Sequence, residues 1–117
     1  MKTILLVILL TITSGCTTLN RPSPETSAIA DIATTAVALS KGYTELNPLG
    51  FAGSTLFKGV YLYKRDSLSP EERATTDRIA SSLWLGAAVN NLAVLAGVVM
   101  PFNLFIGSIV ALSVYNP

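Results

Sequence analysis

Asp31 to Pro48 reads Asp-Ile-Ala-Thr-Thr-Ala-Val-Ala-Leu-Ser-Lys-Gly-Tyr-Thr-Glu-Leu-Asn-Pro. It decides the fold because it sets a helix, a stop and a turn inside a chain otherwise suited to lipid. From Ser27 to Ser40 the residues are small, branched or apolar, with Thr26 or Ser27 as N-cap and Gly42 as a C-terminal stop, so a helix is expected. On it Ala28, Asp31, Thr35, Ala38 and Gly42 recur at intervals of three or four and share one small, polar face. Ile29, Ile32, Val37 and Leu39 suit lipid or a core. Asn47-Pro48 ends the connection, since proline disfavours the helical region for the residue before it and fits the first turn of a second helix, expected to run from Pro48 to about Tyr63.

A helical hairpin results. Counted outward from Glu45, Asp31 and Lys58 lie at similar distances along the two arms, which predicts that they pair or share a polar network. A charge left alone in hydrocarbon costs about 2.5–3.5 kcal/mol on insertion scales, so pairing is favoured there. Two plainer roles compete with it. A carboxylate in a first helical turn is stabilised by the macrodipole, and a lysine can extend its ammonium to an interface.

The 117 residues leave room for one domain; half are hydrophobic, 13% are charged, and the mean hydropathy of +0.55 exceeds the usual range of a water-soluble chain. A membrane protein is expected. The net charge of +1 offers no basic field for a nucleic-acid backbone, which removes nucleic acid from the expected partners. With no histidine and a single cysteine, Cys16, the chain cannot build an imidazole base, a His/Cys metal cage or a Cys-His nucleophile. Any chemistry would fall to carboxylates, hydroxyls, lysine or tyrosine; an intramembrane enzyme is the last alternative because no nucleophile–base pair can be named, and no enzyme activity, metal or dissociable cofactor is expected.

Toward the N-terminus, Lys2 is followed by the apolar run Ile4 to Leu10 and by small residues to Gly15, the layout of an export signal too short for a comfortable span. Thr13-Ser14-Gly15-Cys16 resembles a bacterial lipobox, although Thr13 stands where leucine is usual. The resemblance implies cleavage before Cys16 and a covalent lipid on its thiol. The alternative is an uncleaved helix with a buried cysteine. Residues 1–15 are thus assigned to a lipoprotein-type signal peptide, 16–26 to a Pro-, Ser- and Thr-containing tether and 27–117 to a helical membrane domain.

Toward the C-terminus, Lys64 to Arg78 is hydrophilic with balanced charge and reads as a solvated segment. Within it Ser69-Pro70-Glu71-Glu72 combines an N-cap, a first-position proline and first-turn acids, and so starts a helix. Ile79 to Met100 is apolar over a length of about 33 Å as a helix, enough for a span, with Trp84 as an interfacial anchor. Gly86, Asn90, Ala93 and Gly97 form a stripe for close helix packing, and Asn90 or Asn91 is expected to bond across it for about 1 kcal/mol. Pro101 interrupts, and Phe102 to Tyr115, with Gly107 and Ser108 at its middle, gives a last helix that is short for a span and would tilt or re-enter. The expected fold is all-α: a small helical membrane protein, a hairpin followed by one or two further hydrophobic helices. If Cys16 is exported and the hairpin crosses twice, Lys64, Arg65, Arg73 and Arg78 fall outside, against the positive-inside tendency.

Asp31-x-x-Thr34-Thr35 followed by Gly42-Tyr-Thr-Glu45-Leu-Asn47-Pro48 resembles the signature of a family of small prokaryotic integral membrane proteins of unknown function. The likeness covers about the central third of the chain. The family carries no established activity, and what the resemblance implies is a helical hairpin with Asp31, Thr35, Glu45 and Asn47 at its polar face. That face is either a lock between helices or a site for a small cation or polar ligand. The leading expectation is a non-enzymatic, lipid-anchored protein of the bacterial envelope, on the inner or outer membrane, associating through its helices with itself or an envelope partner. Alternatives are an ion- or solute-transport accessory using Asp31 and Glu45, and a phage- or plasmid-encoded envelope protein acting in lysis or exclusion.

Overall fold

The computed structural model describes residues 21–44 and 49–115, and these are built from helices: α1 (Pro24–Ser40), α2 (Gly50–Lys64), a 3-10 turn (Arg65–Ser67), α3 (Pro70–Leu95) and α4 (Phe102–Tyr115). The all-α expectation holds. Cys16, Glu45 and Asn47 lie outside the described residues, as does Pro48, so α2 is seen to begin at Gly50.

Helix α1 starts earlier than expected. Ser23 is extended, its Oγ accepts the Thr26 N–H, Pro24 occupies the first turn and Glu25 adds an acid there. Residues 24–26, assigned to a tether from composition, are that first turn. Asp31 therefore sits about two turns inside the helix, beyond the reach of the N-terminal dipole, and the capping role is removed. The C-terminus closes as a Schellman motif. Gly42 takes φ +87° and donates to Leu39 O (3.0 Å), and Tyr43 N–H donates to Ala38 O (3.1 Å). Gly42 ends the polar face instead of extending it.

Helix α3 is the spine, packing against both α1 and α4, while α2 rests more lightly on α1. It opens with a complete capping box: Glu72 N–H donates to Ser69 Oγ, and the Glu72 carboxylate accepts the Ser69 N–H at 3.0 Å. Its far end corrects the expected span. α3 stops at Leu95, where Gly97 at φ +87° donates to Val94 O and Val98 N–H to Ala93 O, both at 2.9 Å. The apolar part inside the helix, Ile79 to Leu95, is about 26 Å long against the roughly 30 Å of a hydrocarbon core. Among the described residues no helix is long and apolar enough to cross a membrane. Pro101 breaks the chain as expected, and α4 spans the expected Phe102–Tyr115.

The α3–α4 contact is backbone-close. An ideal Cβ on Gly86 would lie 2.7 Å from both Ala111 Cβ and Gly107 O, and one on Gly107 would lie 2.7 Å from Gly86 O. Only glycine at both positions permits this approach. Ala93 is also buried, but Gly97 terminates α3, is exposed, and leaves the packing stripe.

The large apolar side chains lie mostly outside, and the interior is small and mixed, with alanines and the valines Val110 and Val114 beside polar groups. The largest fully buried side chains are Asn103, Ser27 and Ser81, and Asp31 and Lys58 are buried with them. Facing out are Leu56 (69% exposed), Phe105 (65%) and Leu112 (71%), with Phe57, Val60 and Phe102. Helix α2 shows why. Ser54, Lys58 and Tyr61, followed by Arg65 at its cap, recur at intervals of four, three and four and make its inward face, so Leu56, Phe57, Val60 and Tyr63 point away. Two of the buried serines are satisfied by their own helix, Ser81 Oγ donating to Asp77 O at 2.6 Å and Ser82 Oγ to Arg78 O at 2.7 Å, whereas the Ser27 hydroxyl is buried without a partner.

Candidate functional site

Two carriers of charge meet at the centre. Lys58 Nζ from α2 lies 2.9 Å from Asp31 Oδ2 on α1, with both side chains about nine-tenths buried or more. The two residues meet at one depth, as their similar distances along the two arms predict. Lys58 also donates to Ser54 Oγ at 2.7 Å, one turn back, and stands 5.7 Å from the ring centroid of Trp84. Trp84 in turn meets Tyr61 edge to face at 5.6 Å. The tryptophan expected as an interfacial anchor thus holds α2 to α3.

The other carboxylate oxygen is bound by α3. Asn91 Nδ2 donates to Thr35 Oγ1 (2.8 Å), Thr34 Oγ1 (3.1 Å) and Asp31 Oδ1 (3.3 Å), and Thr35 Oγ1 donates to Asp31 Oδ1 at 3.4 Å. Asn90, the next residue, faces the other neighbour: its Oδ1 accepts from Asn103 Nδ2 on α4 at 2.9 Å. Consecutive asparagines lie about 100° apart around a helix, so one reaches α1 while the other reaches α4. The interhelical bond expected of Asn90 or Asn91 is made by both.

Asp31, Thr35 and Lys58 from the expected polar cluster are therefore brought together, while Glu45 and Asn47 fall outside the described residues. Thr34, Ser54, Asn91 and Asn103 join the site without having been singled out for it. The four-three-four recurrence of Ser54, Lys58, Tyr61 and Arg65 was a readable sign of an inward polar face.

The hydrophilic segment is more than solvated. Arg65 bridges Glu25 at the start of α1 and Asp77 of α3 (3.3 Å), and Tyr61 OH donates to Asp77 Oδ1 at 2.8 Å. Arg73 pairs with Asp66 at 2.8 Å and approaches Asp77 at 3.7 Å. These contacts gather one end of three helices. At the start of α3, the Ser69 hydroxyl, and then the Ser69 backbone N–H, bonds the Glu72 carboxylate and holds its pKa below the usual value.

Chemically, the centre is a neutralised pair with its carboxylate oxygens occupied. Among the described residues no group of Cys, Asp and Glu forms that could hold a metal ion. The arrangement locks α1, α2 and α3 together and lines a cavity with amide and hydroxyl groups. Comparison with protein families, curated proteins and solved structures finds no match for this chain.

Proposed function

We propose that the chain is a small, non-enzymatic, lipid-anchored protein of the bacterial envelope, whose helices seat their apolar faces in lipid and associate with a second copy or an envelope partner. The observation that carries this is the outward placement of leucine and phenylalanine around an interior of alanine, valine, serine, asparagine and an ion pair. In water such a surface is an association or aggregation hazard, whereas in lipid it matches the solvent. Among the described residues no helix is both long and apolar enough to cross a membrane, and the proposal is a bundle embedded in one leaflet or lying at the interface. That arrangement requires no crossing and removes the conflict over the basic residues 64–78.

Labelling with palmitate, with and without Cys16→Ala, combined with membrane fractionation, tests the proposal. Label lost in the variant, together with membrane recovery of the native chain, supports it. A native chain that takes no label and is recovered monomeric in the aqueous fraction refutes it. A second reading, an accessory to ion or solute movement, draws on the Asp31–Lys58 pair at the cavity wall. It requires flux that disappears with Asp31→Asn.

A further inference from the structure

Helix α2 is attached differently from the rest of the bundle. α1 and α4 each pack closely along α3, with Ala28, Ala88, Ala93, Val110 and Val114 buried, whereas the α2 backbone approaches chiefly α1, and lightly. Within α2 only Lys58 is buried; Phe51, Tyr61 and Leu62 are half-buried, and its other large apolar side chains face out. What ties the helix down is mainly polar: Lys58 to Asp31 at its middle, Tyr61 OH to Asp77, and Arg65 at its C-cap to Glu25 and Asp77. The Tyr61 ring and the Lys58 ammonium add contacts to Trp84.

Burial of apolar area is the main net gain of packing, while the attraction within a buried ion pair is largely offset by the desolvation of its two charges. A helix held mainly by such contacts stays in place with little surplus, and it opens at a lower free energy than helices packed on apolar area. The connection to α3 permits this. Leu68 and Ser69 are extended, so the unit formed by α2 and its 3-10 turn is joined to α3 by a non-helical link. Helix α2 also walls a cavity of about 180 Å³ through Phe51, Ser54 and Lys58, the other walls carrying Thr35 of α1, Asn91 of α3 and Asn103 of α4.

We infer that α2 is a lid latched by charge, which swings off the bundle as a unit while α1, α3 and α4 stay packed. Arg65 is the outer latch, since it ties the end of α2 to both α1 and α3. Opening parts Lys58 from Asp31 and turns the enclosed cavity into a cleft between α1, α3 and α4. This goes beyond the envelope reading and does not depend on Cys16, so the lid and palmitate labelling can fail separately.

The test is amide hydrogen exchange of the full chain in phosphocholine micelles, followed residue by residue by NMR. Amides 58–62 of α2 are expected to exchange at least about tenfold faster than amides 82–88 of α3 and 107–111 of α4. Arg65→Met should speed the α2 amides by a further tenfold or so, the size of one hydrogen bond to a charged group, and leave α3 and α4 unchanged. Glu25→Gln, at a side chain 46% exposed, should act in the same sense on α2 alone should the first variant not fold. Spin labels at the outward-facing Val60→Cys and Leu83→Cys, with the native cysteine replaced, should show two separations, the longer gaining population with Arg65→Met. Equal protection of α2 and α3, acceleration spread evenly over all helices, or a single separation that the variant leaves unchanged overturns the lid.

Discussion

Removing the Asp31 carboxylate should expose how the centre is held. At 2.9 Å the Asp31–Lys58 attraction is about 6 kcal/mol at an effective dielectric of about 20, before desolvation of both groups is subtracted. Deleting one partner strands the other in a buried place, which costs about 3–5 kcal/mol. Asp31→Ala also strips acceptors from Asn91 Nδ2 and Thr35 Oγ1, so it should lie at the upper end of that range. Lys58→Ala leaves Asp31 with those two donors and should lie at the lower end. Because the two changes remove the same contact, the double variant should cost less than the sum, with a coupling of about 2–3 kcal/mol. Replacing both by apolar residues of similar size, Asp31→Leu with Lys58→Met, should recover most of the loss. Denaturant unfolding of the detergent-solubilised chain, followed by helical circular dichroism, measures the four variants against the native chain. Additivity of the alanine variants within about 0.5 kcal/mol would show that the pair carries no coupling and refute the reasoning.

Glycine substitutions separate crowding from open space. Gly107→Ala forces a Cβ to 2.7 Å from the Gly86 carbonyl and should destabilise by about 1–3 kcal/mol, whereas Gly59→Ala, with nothing within 4 Å in mid-helix, should stabilise by about 0.5–1 kcal/mol. Gly97→Ala places a side chain at φ +87° and should cost about 1–2 kcal/mol in the same unfolding assay, fraying the end of α3. The capping box predicts a pH effect of fixed sign. The Glu72 pKa is lowered on folding, so its contribution is present above the unfolded-state pKa and is lost as pH falls through the folded-state value. Amide protection over the first turn of α3 should decline with acid in the native chain, and Ser69→Ala should flatten that decline.

Local chemistry made the element boundaries readable, and three-dimensional partnership hid the rest. Ser69, Pro70 and Glu72 announce the start of α3, and Pro101 its separation from α4, because capping and proline effects act within a turn. Ser23-Pro24 carries the same grammar but sits among residues whose composition also suits a tether, and α1 was expected three residues late. Gly97 fell into step with Gly86, Asn90 and Ala93, and hydropathy does not register a positive φ, so the run to Met100 looked continuous. Asp31 and Lys58 could be placed at one depth by counting along a hairpin. Their tie to Asn91 could not, since it joins residues 60 apart through the approach of α1 to α3. The Arg65–Asp77–Glu25 contacts escaped for the same reason.

On the proposed function, the apolar outer faces of the bundle meet lipid. Spin labels at Leu56→Cys, Phe105→Cys and Leu112→Cys, introduced with the native cysteine replaced and the chain reconstituted in vesicles, test it most directly through their accessibility to oxygen and to a water-soluble nickel chelate. The three outward sites should be open to oxygen and shielded from the chelate, while a label at the buried Ser81→Cys is shielded from both. Outward sites relaxed by the chelate as freely as an aqueous loop would contradict it.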